Sequence, residues 1–205
     1  MKEKDIVMMA KVLSAVFNPF FLPVVGLLAL FIFSYLSLLP WEAKLYILIL
    51  VATFTILLPT TLIRLFRRWR GWSAADFSVR ERRIVPFIIA IICYLLCYHI
   101  ITTNHIPYTI GSIVMASLMI QVVCAIINHW WKISTHTAAI GGVAGAIMAF
   151  AEIFSFNPIW WLSFVLILAG MVGTSRMILK QHTLAQVVTG FLIGMACAIF
   201  SVLFI

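Results

Sequence analysis

Charge is what this chain has least of. Only 10% of its 205 residues are Asp, Glu, Lys or Arg, and just six residues are acidic. A soluble domain is about a quarter charged and about half apolar. Here 64% is hydrophobic and the mean hydropathy is +1.16, which excludes a soluble globular fold. Alternating strands of about ten residues, the pattern of a membrane barrel, are missing too. Cysteine is scarce. Cys93, Cys97, Cys124 and Cys197 all sit inside apolar runs, which argues for packing residues and against a disulfide frame or a metal site. No tandem repeat, polar linker or low-complexity stretch divides the chain, and no cleavable leader is evident at its start. The expectation is one all-α domain over residues 1–205, a polytopic transmembrane helical bundle.

What the chain does have is long apolar runs. Seven spans are expected, at 20–39, 45–66, 84–101, 108–127, 137–154, 159–172 and 184–205, each near the length that crosses a bilayer. A short amphipathic segment, 1–18, leads in, and Pro59 should bend the second span. With seven crossings, the N-terminus and three polar islands (64–83, 128–136 and 173–186) share one membrane face. That face carries every Lys and Arg except Lys44. The positive-inside rule then places the islands in the cytoplasm, as in a bacterial inner membrane. The net charge of +8 reflects topology and anionic headgroups rather than nucleic acid.

Polar clusters beside lipid are expensive and so are functional candidates. His182 and Gln186 lie four apart, on one face at the start of a helix, where the Gln186 carbonyl oxygen can hold a ring nitrogen. Arg176 offers a planar fork suited to phosphate oxygens. Ser134 and Thr135 precede the fifth span, so their hydroxyls and amides lie at a helix N-terminus, a natural anion site. His136, in the first turn, is placed to protonate a leaving oxygen. Gly141 and Gly145 on the fifth span, and Gly190 and Gly194 on the seventh, are small pairs spaced by four. Such pairs let two membrane helices approach closely, which would bring both histidines together. By contrast, His99, His105 and His129 read as structural or interfacial, and Arg64, Arg67, Arg68 and Arg70 as topology determinants.

Taken together, the islands resemble the motifs of the type-2 phosphatidic acid phosphatase superfamily, which includes haloperoxidases and bacterial lipid phosphatases. Its third motif is Ser-Arg, five residues, His, three residues, Asp. Ser175-Arg176, His182 and Gln186 reproduce every spacing. Its second, Pro-Ser-Gly-His, reads here as Ile133-Ser134-Thr135-His136. The first is degenerate: Arg80-Glu-Arg-Arg-Ile-Val-Pro86. The resemblance covers about residues 76–190. It implies an active site at one membrane face and hydrolysis of a lipid phosphomonoester or diphosphate, without a cofactor or metal. His182 would be the nucleophile that forms a phosphohistidine, and His136 the acid. Arg80, Arg83, Lys132, Ser134, Thr135, Ser175 and Arg176 would hold the phosphate. Gln186 departs from the family's carboxylate: an amide can orient His182 but cannot balance its charge. Two other functions therefore stay open. One is a non-catalytic lipid-phosphate binder or translocator; the other is a lipid phosphotransferase. The implied partners are the lipid substrate and the bilayer.

Overall fold

The computed structural model describes residues 3–72 and 81–204. Its helices are α1 (Glu3–Val16), α2 (Leu22–Phe33), α3 (Trp41–Arg70), α4 (Ile84–Thr103), α5 (Tyr108–Asn128), α6 (Thr135–Phe154), α7 (Ile159–Ile178) and α8 (Leu184–Phe204). No strand occurs among the described residues. Six helices, α3 to α8, are long and apolar enough to cross a membrane.

The expected count of seven full spans is therefore corrected to six. The run 20–39 folds as the 12-residue α2 followed by a 3-10 turn, Tyr35–Leu38. Twelve residues rise about 18 Å, well short of a hydrocarbon core of about 30 Å. Pro23 opens α2, and extended backbone at Ser34 ends it. The segment still links the two ends of the bundle. Tyr35 Oη lies 3.0 Å from Thr109 Oγ1, and its ring meets Phe154 edge-on. Thr109 opens α5 and Phe154 closes α6, both at the end opposite the polar islands. The chain thus passes between the ends seven times, as the charge pattern requires, with one pass made by a half-length helix.

Two other boundaries move. The sixth run does not stop at 172. α7 continues to Ile178 and includes Ser175 and Arg176. The disturbance expected at Pro59 lies one turn earlier, as a π-turn over Thr53–Leu57. Proline lacks an amide hydrogen, and a widened turn before it relieves the clash with the preceding carbonyls.

The centre of the fold is the parallel crossing of α6 on α8. A Cβ on Gly141 would lie 2.1 Å from the Phe191 carbonyl oxygen, and one on Gly194 would lie 1.7 Å from that of Ala138. Both contacts are main chain to main chain, which only glycine permits. The glycine pairs thus make the close approach expected of them. Around this seam the other helices turn apolar side chains outward: Ile88, Ile92 and Leu95 on α4, and Phe164 and Ile167 on α7, are exposed. Such faces suit a lipid surround.

Candidate active site

The spacing of the last island follows from the way two helices are joined. α7 ends in a Schellman motif: Lys180 N donates to Met177 O (2.9 Å) and Gln181 N to Arg176 O (3.1 Å). Lys180 takes the left-handed conformation there, with φ 53°, the position usually given to glycine. Three residues after Lys180, Thr183 caps α8. Its Oγ1 accepts from Gln186 N at 3.4 Å, and Gln186 Oε1 accepts from Thr183 N at 3.3 Å. This reciprocal pair is a capping box. Arg176 is therefore in the last turn of α7, His182 is the residue just before the cap, and Gln186 is the third residue of α8. The turn between the two helices returns His182 to the end of the bundle where Arg176 lies.

Gln186 has a second role at the same atom. His182 Nδ1 lies 3.1 Å from Oε1. The Thr183 amide already identifies that atom as the oxygen, since it can only donate. Nδ1 therefore carries the ring proton, and the Nε2 lone pair is left for chemistry. His182 is 8% exposed. Burial first, then Arg83 and Arg176, push its pKa down to about 4, against the opposing effect of Gln186. The ring is neutral at physiological pH.

The second island forms the opposite wall. Ser134 caps α6, its Oγ accepting from Thr137 N at 3.4 Å. The amides of Thr135 and His136 are among the first four of α6, which have no acceptor within the helix. A Cβ on Gly190 would lie 2.7 Å from both Ser134 O and Thr137 Oγ1, so α8 presses directly on this cap. The Ser14 backbone lies beside the His136 ring, and the ring's Nδ1 is buried with no hydrogen-bond partner. Buried polar nitrogens left without a partner are rare in folded proteins.

Three cations converge on the two histidines. Arg83 donates from Nη1 to Ile133 O at 3.3 Å and packs its guanidinium over Phe87. Its pKa is lowered by burial. Lys132 is shifted the same way, by burial first and then by Arg83 and Arg176. Arg176 Nη1 donates to Ser14 Oγ, and its Nε is buried without a partner. Arg83, Arg176 and Lys132 all act on His182, and Arg83, Arg176 and His182 act on His136. Among the described residues, no carboxylate acts on these five groups. Among the described residues, no group of three or more His, Cys, Asp or Glu is placed to hold a metal ion.

Not every expected ligand joins them. Ser175 Oγ donates to Met171 O at 2.8 Å within its own helix, so its proton is not offered to the site. Arg80 lies outside the described residues. Sequence reasoning missed Ser14, which no motif marks, and Thr183. The Thr-x-x-Gln capping box was a readable signal for the latter.

An apolar cavity of about 470 Å³ adjoins the site. It starts at Thr135 and passes Ala139 and Ala146 along α6. It ends at Phe154 and Trp161 at the far end of the bundle, with Ala29 of α2 on its outer wall. No curated protein and no solved structure shows significant similarity to the chain. The family model of the PAP2 superfamily matches residues 87–205, a stretch that contains both histidine islands and begins just after Arg83. With more than half of its length matched and both islands inside the match, the chain belongs to the PAP2 superfamily.

Proposed function

We propose that this protein hydrolyses the phosphate ester of a membrane lipid through a phosphohistidine on His182, without a metal. The observation that carries the reading is the convergence of Arg83, Lys132 and Arg176 on two histidines, with no carboxylate beside them among the described residues. Preorganised positive charge suits the oxygens of a transferring phosphoryl group. In the first step Nε2 of His182 attacks phosphorus, the P–O bond to the lipid breaks, and His136 supplies the proton to the departing oxygen. In the second, water attacks phosphorus while His136 takes its proton, and the P–N bond breaks to free His182 and orthophosphate. The amides of Thr135 and His136 add donors at a helix N-terminus. The apolar cavity beginning at Thr135 supports a substrate with a hydrocarbon tail. The basic residues on this face support a cytoplasmic site.

Purified protein given a panel of lipid phosphates should release orthophosphate, and EDTA should not slow it. Ala29 is exposed and lines the cavity, so Ala29→Trp narrows the space without overpacking a core. It should raise KM about tenfold for a long-chain substrate and leave a soluble aryl phosphate unchanged. The neutrality of Gln186 favours one rival, a protein that binds lipid phosphate and does not cleave it. Saturable binding of the panel with no phosphate released would establish that rival instead.

Gln186 also sets a pH dependence. In Gln186→Glu the capping box survives, and a carboxylate faces His182. An anion favours the imidazolium, so the His182 pKa should rise by about 1–3 units from its value near 4. The acid limb of kcat/KM should move to higher pH with it. The His182 ring titration, followed by NMR in both proteins, measures this directly. An unchanged titration would show that residue 186 does not face the ring.

A further inference from the structure

α1 lies outside the stretch that matches the family, yet it reaches the centre of the site. Ser14 is 9% exposed. Its hydroxyl accepts from Arg176 Nη1 across 162 residues of sequence, and its backbone lies beside the His136 ring. One residue of α1 thus holds the proposed phosphate-binding arginine and stands beside the proposed acid. Towards its start α1 flanks an open groove. The groove, of about 360 Å³, is lined by Ile6, Met9 and Ala10 together with Gly170 and Thr174 of α7, and a Cβ on Gly170 would meet nothing within 4 Å. The outer face exposes Met8, Val12 and Val16 beside Lys4 and Lys11, as in a helix lying at a membrane surface.

We propose that Ser14 is a positioning residue of the active site, orienting the Arg176 guanidinium through its hydroxyl. The N-terminal helix is then a working part of the site. The inference rests on the phosphatase reading given above. The chemistry of the pair supports it. A carboxylate in this place would hold Arg176 more tightly but would cancel the charge needed by phosphate. A hydroxyl holds one Nη as a neutral acceptor and leaves the Nε edge, buried and unpartnered, for a ligand. Because an arginine side chain has many rotamers, an anchor at one nitrogen decides where the fork points.

The test uses the full-length protein and its Ser14→Ala, Ser14→Thr and Met9→Ala variants. Measured are kcat and KM on a lipid phosphate, orthophosphate affinity by calorimetry, and the thermal midpoint in detergent. Ser14→Ala should lose about tenfold in kcat, the scale of a small misplacement of a catalytic group. It should bind orthophosphate several-fold more weakly, with its thermal midpoint unchanged. Ser14→Thr keeps the hydroxyl and should recover most of both. Met9→Ala loosens α1 at the groove and should match the parent. A Ser14→Ala protein with a lowered midpoint but parental kcat and phosphate affinity would overturn the proposal and leave Ser14 a packing residue. Should the parent release no phosphate from any lipid, hydrolysis itself fails. The calorimetry then decides for Ser14 alone: weaker binding in Ser14→Ala supports the anchor, and equal binding overturns it.

Discussion

Replacing His182 by Ala should lower phosphate release on the order of 10⁴-fold or more, because the proposed nucleophile is removed. The fold should persist. The capping box of α8 runs between Thr183 and Gln186 and does not need the ring. His136→Ala should behave differently. Loss of a general acid costs on the order of 10²–10⁴-fold, and the loss should depend on the leaving group. A lipid alkoxide needs the proton and should fall the full amount. An aryl phosphate leaves unaided, so its first step should survive while hydrolysis of the intermediate stalls. A burst of one phenolate per protein, with acid-labile phosphate on His182, is the expected signature, read by rapid quench. Parental turnover in His182→Ala would remove the phosphohistidine from the mechanism.

The second large effect is on stability. Gly194→Ala places a Cβ 1.7 Å from Ala138 O and 2.6 Å from its carbonyl carbon. Neither atom is a side-chain end that can swing aside, so α6 and α8 must separate along their whole seam. The cost should exceed the ~1–3 kcal/mol of ordinary overpacking. Gly170→Ala is the matched control, since nothing lies within 4 Å of its Cβ. It should be neutral, or stabilising by up to ~1 kcal/mol, through the chain entropy that glycine otherwise loses. Thermal unfolding in detergent compares the two. Equal midpoints would show that the seam yields.

Features carried by short sequence spacing were legible beforehand. Glycines four apart on two runs mark a close crossing wherever they meet, and Gly141 and Gly194 do meet the partner main chain. His182 and Gln186, also four apart, had to share a face, and their side chains are hydrogen-bonded. The half-length α2 was hidden, because hydropathy over 20–39 is the same whether the backbone is helical or extended. Pro19, Pro23 and Ser34 were its only local signals. Ser14 was hidden for another reason. Its partner is 162 residues away, and an amphipathic lead-in gives no sign of which serine turns inward. The first motif was the weakest in the sequence. Arg83 supplies its visible part, donating to Ile133 O, while Arg80 falls outside the described residues.

The seam between α6 and α8 also bears on compliance. In most helix pairs the separation is set by side chains, which hop between rotamers and let the spacing breathe. Here the stops are peptide carbonyls against Cα atoms, at Gly141, Gly145, Gly190 and Gly194. The gap between the two helices is fixed by covalent geometry, which is far stiffer than a torsion. His136 lies in the first turn of one helix and His182 one residue before the cap of the other, so their spacing inherits that stiffness. A bilayer that thickens, thins or changes its lateral pressure can tilt the bundle, but it has little purchase on the distance between the two imidazoles.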